Sequence, residues 1–232
     1  MANAAAAAPT PSDLVAQVED ALAAIAEPDQ AESMAAYMKD QFPFLGVKAG
    51  PRREAQRSII NALAGRSADD LLAFAEHAWI EEDRELQYVA CDALRKHVTV
   101  LTPPDLPRVE ALIVTKAWWD TVDSLAVHTV GPLVAAHPEL SATMDTWIDG
   151  SDMWKARTAI LHQLMYKADT DPDRLFGYAD RRAEDTEFFI RKAIGWALRQ
   201  YARTDPDAVR SFVAANDDRL SGLTKREALK HL

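Results

Sequence analysis

The chain is predicted to be an all-α, HEAT/armadillo-like helical-repeat solenoid, and three observations predict it. Apolar residues recur with helical periodicity along nearly all of the 232 residues, and strand-like alternation is almost absent. Pro and Gly fall mostly between the periodic segments, where they punctuate rather than interrupt. The third observation is a repeat. ELQYVACDALRK from Glu85, WWDTVDSLAVHT from Trp118, MWKARTAILHQL from Met153 and FFIRKAIGWALR from Phe188 begin 33, 35 and 35 residues apart. Each is the apolar second member of a helix pair and follows a shorter, more polar first member. A fixed period in this range marks stacked helix pairs, with one layer of helices lining a concave surface. The four segments are the candidates for that layer.

Taken in order, the helices are expected at 11–27, 30–41, 52–64, 67–80, 84–98, 105–115, 117–136, 138–148, 152–167, 173–182, 185–202, 206–215 and 224–231. Ser67, followed by Asp69 and Asp70 in a first turn, suits the start of the fourth. Thr224 and Glu227 have the T-x-x-E spacing of a capping box before the last. The run 117–136 meets no Gly or Pro until Gly131. Residues 1–11, MANAAAAAPTP, read as a disordered Ala-rich lead. They lack the basic and leucine-rich regions of a signal peptide. Residues 12–232 are then expected to form a single repeat domain.

Composition narrows the function classes. No apolar run approaches the ~20 residues of a membrane span. One cysteine, Cys91, precludes an internal disulfide framework and fits a reducing, cytoplasmic setting. On an apolar helical face it reads as a small core residue. The six histidines show no metal-ligand spacing, and neither phosphate-cradling glycine motif occurs, so no metal and no nucleotide cofactor are expected. The formal net charge is −10, which by itself disfavours a partner rich in phosphates. The charge is uneven, however. Residues 1–110 hold 10 Lys and Arg against 18 Asp and Glu, whereas residues 111–232 hold 16 against 18. A basic face can survive in the second half if its acids point elsewhere.

One stretch asks for chemistry. In KAWWDTVDSLAVHT, residues 116–129, Trp119 and Asp123 are four apart and share a helical face, which Trp118 does not. An unpaired carboxylate against an indole costs free energy unless the face is wet or a cation sits there. One repeat on, 34 residues from Asp123, stands Arg157; another 34 on stands Arg191, with Lys192 beside it and Trp196 one turn beyond. An Asp, an Arg, a Lys and two Trp can thus converge on one groove. Trp118, Trp154, Trp147 and Trp79 read as core residues.

These residues resemble the AlkD-like DNA alkylation-repair glycosylases, a family built from HEAT-like repeats. The likeness runs from about residue 30 to the C-terminus, in MAAYMKDQFPFLGV, LIVTKAWWDTVDSL, WKARTAILHQLMYK, EFFIRKAIGWALRQYARTDPDAV and LSGLTKREALKHL. Five separated blocks occur in the family's order. One departure lies in GVKAGPRRE, where the family has its proline one residue earlier relative to the paired arginines.

The resemblance implies a concave groove that binds double-stranded DNA containing alkylated purines. It implies a DNA-alkylpurine N-glycosylase that hydrolyses the N-glycosidic bond of N3- or N7-alkylated, cationic purines, in base excision repair. The family's catalytic cleft of two tryptophans, an aspartate and an arginine maps onto Trp119, Asp123, Arg157 and Trp196. DNA contacts are expected at Tyr37, Lys48, Arg52, Arg53, Lys192, Lys225 and Arg226, although Arg52 and Arg53 are equally well read as solvated charges. A single catalytic groove suggests a monomer, and the expected setting is cytoplasmic and bacterial-type, on the nucleoid when bound. Two other readings stay open: a non-catalytic relative that binds DNA structure, and a HEAT-type protein-interaction scaffold.

Overall fold

Helix α1 (Pro11–Ala23) begins where the chain first offers a cap. The Thr10 side chain accepts from Asp13 N at 3.2 Å, the Asp13 carboxylate accepts from Thr10 N at 2.8 Å, and Pro11 supplies the first helical φ. The structure is a computed structural model and describes residues 8–232. Of the expected lead, residues 1–7 lie outside the described residues, while Thr10 and Pro11 are the cap and first residue of this helix. The described residues contain no strand, and the chain divides into two compact units, Met1–Leu101 and Thr102–Leu232.

In the first unit α1 is followed by α2 (Pro28–Tyr37), α3 (Ala49–Ala55), α4 (Arg57–Asn61), α5 (Ala68–Ile80) and α6 (Arg84–His97). α1 buries Leu14, Val15, Val18 and Leu22, one helical stripe, against α5, and α5 packs along α6. Ser67 caps α5 by accepting from Asp70 N, as its position predicts. The segment 42–47 has no regular structure and is tied to the start of α6. Glu85 is fully buried, and its carboxylate accepts from the backbone N–H of Leu45 (3.1 Å), Gly46 (2.9 Å) and Val47 (3.0 Å). Arg84 is fully buried as well, its guanidinium carbon 3.8 Å from the centre of the Phe42 ring. Gly46 has φ +86°, and a Cβ there would meet the Glu27 carbonyl oxygen at 2.0 Å, so only glycine fits.

The second unit contains α7 (Leu106–Val114), α8 (Trp119–Leu125), α9 (Gly131–Ala136), α10 (Ser141–Asp149), α11 (Met153–Leu161), α12 (Pro172–Arg181), α13 (Phe188–Tyr201), α14 (Pro206–Ala215) and α15 (Gly222–Ala228). Aspartates begin several of them. Asp152 accepts from Trp154 N and Lys155 N, Asp171 from Arg174 N, and Asp205 from Ala208 N. α11 packs against its pair-mate α10 and also against α8 and α13, the second members of the neighbouring pairs; α13 in turn packs on α15. The stack is therefore a helical repeat, with α8, α11 and α13 starting at the expected period.

Three expectations need correction. The run 117–136 is not one α-helix: a π-helical segment, Ala126–Val130, joins α8 to α9. The expected helix 52–64 breaks into α3 and α4 at Gln56, whose side chain turns in to Asp92 at 2.7 Å. The last helix starts two residues before Thr224. Ser221 is its cap, Thr224 Oγ1 donates to the Arg191 carbonyl, and Glu227 bonds to Lys192 and Arg199 instead of closing a capping box.

Candidate functional site

α8 sets Trp119 in its first turn and Asp123 one turn later, on the same face. Arg157 projects from the middle of α11 and is only 4% exposed. Its Nε donates to Asp123 Oδ1 at 2.6 Å and its Nη2 to Oδ2 at 2.7 Å, a two-pronged pair within the second unit. The remaining nitrogen, Nη1, donates to the backbone carbonyl of Phe189 in the first turn of α13. The 34-residue spacing between Asp123 and Arg157 is thus realised as contact. The carboxylate is not bare, as the sequence alone suggested: the guanidinium occupies both of its oxygens.

The pair is nearly dry, with side-chain exposures of 13% for Asp123 and 5% for Arg157. Burial pushes the Asp123 carboxyl above the usual carboxylate range. The hydrogen bonds and charge of Arg157 act the other way, and the charge of Asp120 adds to the rise. Such a carboxylate is held in one orientation and screened from water, which strengthens its field on any nearby positive charge. Trp119 is half-buried, and Trp196 is half-buried on α13 two turns beyond Phe189. Arg191, at the corresponding repeat position, does not join the pair; its Nε donates to the Asp185 carbonyl at 2.6 Å.

A ring cluster adjoins this pair. Phe189 meets Trp118 edge-on and Trp154 at a tilt, with centroids 5.1 Å apart in each case, and Trp118 lies 6.0 Å from Trp154. Trp118 and Trp154, expected as core residues, are half-buried. The indole nitrogen of Trp118 is buried with no hydrogen-bond partner among the described residues, an arrangement that costs about 1–3 kcal/mol. Phe189 was missed in the sequence. A signal existed: Trp118, Trp154 and Phe189 are 36 and 35 residues apart, one aromatic per repeat.

The expected DNA contacts fall into two groups. Tyr37 is 67% exposed at the end of α2, Lys48 is exposed just before α3, and Arg53 and Arg226 are exposed. Arg53 Nε also lies 3.9 Å from Asp92 Oδ2. The other three are less exposed and paired. Arg52 is buried, donating to Asp92 at 3.2 Å and lying over the Tyr88 ring. Lys192 donates to Glu227 at 2.7 Å, and Lys225 to Asp217 at 2.7 Å. Glu227 also accepts from Arg199, and these partners, Lys192 foremost, hold its carboxyl below the usual range. Among the described residues no cluster of His, Cys, Asp and Glu could hold a metal ion, and no helix is long and apolar enough to cross a membrane. Cys91 is buried.

Comparison with known proteins adds to this geometry. The family model for "DNA alkylation repair enzyme" matches residues 18–232. A solved structure from Enterococcus faecalis, described as a predicted DNA alkylation repair enzyme, is 33% identical in sequence. The match covers 89% of this chain and 96% of that one, with a TM-score of 0.83. None of the curated proteins matches.

Proposed function

The chain belongs to the family of DNA alkylation repair enzymes, and from that membership we propose a DNA glycosylase that releases N3- and N7-alkylated purines from duplex DNA. The observation that carries the reading is the two-pronged Asp123–Arg157 pair with Trp119 one turn before it. Alkylation at N3 or N7 makes the purine cationic and a good leaving group, so strong acid catalysis is unnecessary. The base departs with the glycosidic electron pair and becomes neutral, and the sugar becomes an oxocarbenium-like cation. Water adds to the sugar carbon and loses its proton. Asp123 stabilises the cationic sugar and orients the water; Arg157 keeps the carboxylate in place. The indoles of Trp119 and Trp196 hold the cationic nucleotide, at about 0.5–2 kcal/mol each. No metal or cofactor takes part. Lys48, Arg53, Arg226 and Tyr37, which are exposed, are the proposed contacts with the DNA backbone. Arg52, Lys192 and Lys225 contribute to DNA contact only through rearrangement of their ion pairs. The protein acts as a cytoplasmic monomer on DNA.

Asp123→Asn tests the reading. It keeps the shape and one acceptor but removes the charge. Release of 3-methyladenine and 7-methylguanine from methylated duplex DNA is expected to fall by about 10²–10³-fold, while DNA affinity stays near the parental value. Parental rates of release in the variant would refute the mechanism. A second reading draws on the same geometry: with both Asp123 oxygens already in the Arg157 fork, the pair can serve structure alone, in a DNA-binding relative without glycosylase activity. DNA binding with no base release from the parent protein selects that reading. Absence of both selects a protein-interaction scaffold.

A further inference from the structure

Trp118, Trp154 and Phe189 stand close to the starts of corresponding helices in three successive repeats. Trp118 immediately precedes α8, Trp154 is the second residue of α11, and Phe189 the second of α13. Those three helices carry the four site residues: Trp119 and Asp123, Arg157, and Trp196. The rings touch one another at the helix starts, Phe189 lying 5.1 Å from both indoles. Their link to the site is direct. The Phe189 carbonyl accepts from Arg157 Nη1, and the Arg157 guanidinium carbon is 5.8 Å from the centre of the Phe189 ring. A guanidinium is a planar fork whose donors move together. Shifting the acceptor at one prong therefore turns the two prongs that hold Asp123. Among the described residues the Trp118 indole has no hydrogen-bond partner, so packing against the other two rings sets its place.

We propose that Trp118, Trp154 and Phe189 are positioning residues for Asp123. The ring cluster fixes the Phe189 carbonyl, the carbonyl fixes Arg157, and Arg157 fixes the carboxylate. The proposal rests on the reading of Asp123 as the working carboxylate, and it gives these rings a task beyond filling space.

The test uses the full-length protein with Phe189→Leu, Trp154→Leu and the milder Trp154→Phe, which restores a ring. Two quantities are measured: the titration of the Asp123 carboxyl in the DNA-free protein, by carbon-13 NMR, and kcat and KM for 7-methylguanine release. Asp123 faces Asp120 from its own helix and Arg157 from α11. Loosening Arg157 weakens the one influence that lowers its pKa while burial and Asp120 persist. Both Leu variants are therefore expected to raise the Asp123 titration by about one pH unit and to lower kcat about tenfold with KM nearly unchanged. Trp154→Phe returns both toward parental values. Leu variants that lose thermal stability while Asp123 titrates as in the parent overturn the proposal and leave the rings as packing. The titration does not depend on activity. An inactive parent whose Asp123 titration still moves upward in the Leu variants removes the glycosylase reading and leaves the positioning intact.

Discussion

At Asp123 burial and pairing oppose each other, and the outcome depends on Arg157 completing a fork rather than a single bond. His162, five residues after Arg157, shows burial prevailing. Its ring is almost wholly enclosed, packed against Tyr166 and Tyr178, and its Nδ1 bonds the Ala159 carbonyl at 2.7 Å. Burial, with a smaller push from the charge of Arg174, lowers its pKa from 6.5 to about 4, although the Ala159 bond and the charges of Asp145 and Asp171 act upward. The unfolded chain takes up a proton near pH 6.5, whereas the folded chain resists until about pH 4. The stability linked to this histidine is therefore complete above pH 6.5 and is lost as pH falls toward 4, by up to about 3 kcal/mol. Thermal unfolding measured across that window is expected to show a shallower acid decline for His162→Gln than for the parent. Equal slopes would mean that the ring protonates in the folded state at its ordinary pKa.

Among the elements, the π-helical segment and Gly131 show how close packing fixes a boundary. A Cβ on Gly131 would stand 2.3 Å from the His162 carbonyl oxygen, and the Gly131 carbonyl itself accepts from the Tyr166 hydroxyl at 2.6 Å. The obstacle is backbone and cannot rotate away. Gly131→Ala is expected to cost about 1–3 kcal/mol and to lower Tm by several degrees. Gly177 on α12 is the contrast: nothing lies within 4 Å of its added Cβ. Gly177→Ala is expected to raise stability by about 0.5–1 kcal/mol through helix propensity. Chemical denaturation of the two variants side by side checks both signs. The sequence pattern could not show the π segment, because apolar periodicity near 3.6 tolerates one wider turn without an obvious break. Thr224 misled for a related reason: a T-x-x-E spacing is local, whereas Glu227 is claimed by Lys192 and Arg199 from another helix.

For the whole chain, the helical repeat was legible because its period is a one-dimensional property. The Asp123–Arg157 contact was legible because a residue and its counterpart one repeat later lie side by side when repeats stack. Exposure of the cations was not legible. Arg52 and Arg53 are neighbours in sequence, yet one is buried against Asp92 and Tyr88 and the other is exposed. Lys192 and Lys225 likewise look free in sequence, and each meets an acid. The recurrence of Trp118, Trp154 and Phe189 near three helix starts was readable only by comparing repeats, since paired aromatics beside a site look like core. These placements bear on DNA binding by a chain of net charge −10. With Lys48, Arg53 and Arg226 as the exposed cations of the proposed set, the slope of log affinity against log salt is expected near about −3. A slope beyond about −5 in a salt titration would mean that Lys192 and Lys225 abandon their acids for phosphate.

Glu85 has a consequence of another kind. Its carboxylate gathers the amides of Leu45, Gly46 and Val47 into one buried acceptor. Releasing any of them exposes the interior of α6 or strands a charge in an apolar setting. Those three amides therefore exchange hydrogen with solvent on the timescale of the helix beneath them, although no helix or strand contains them. A protease that searches for irregular chain finds these three residues held shut. The bonds of 45–47 become cleavable only when the first turn of α6 opens with them.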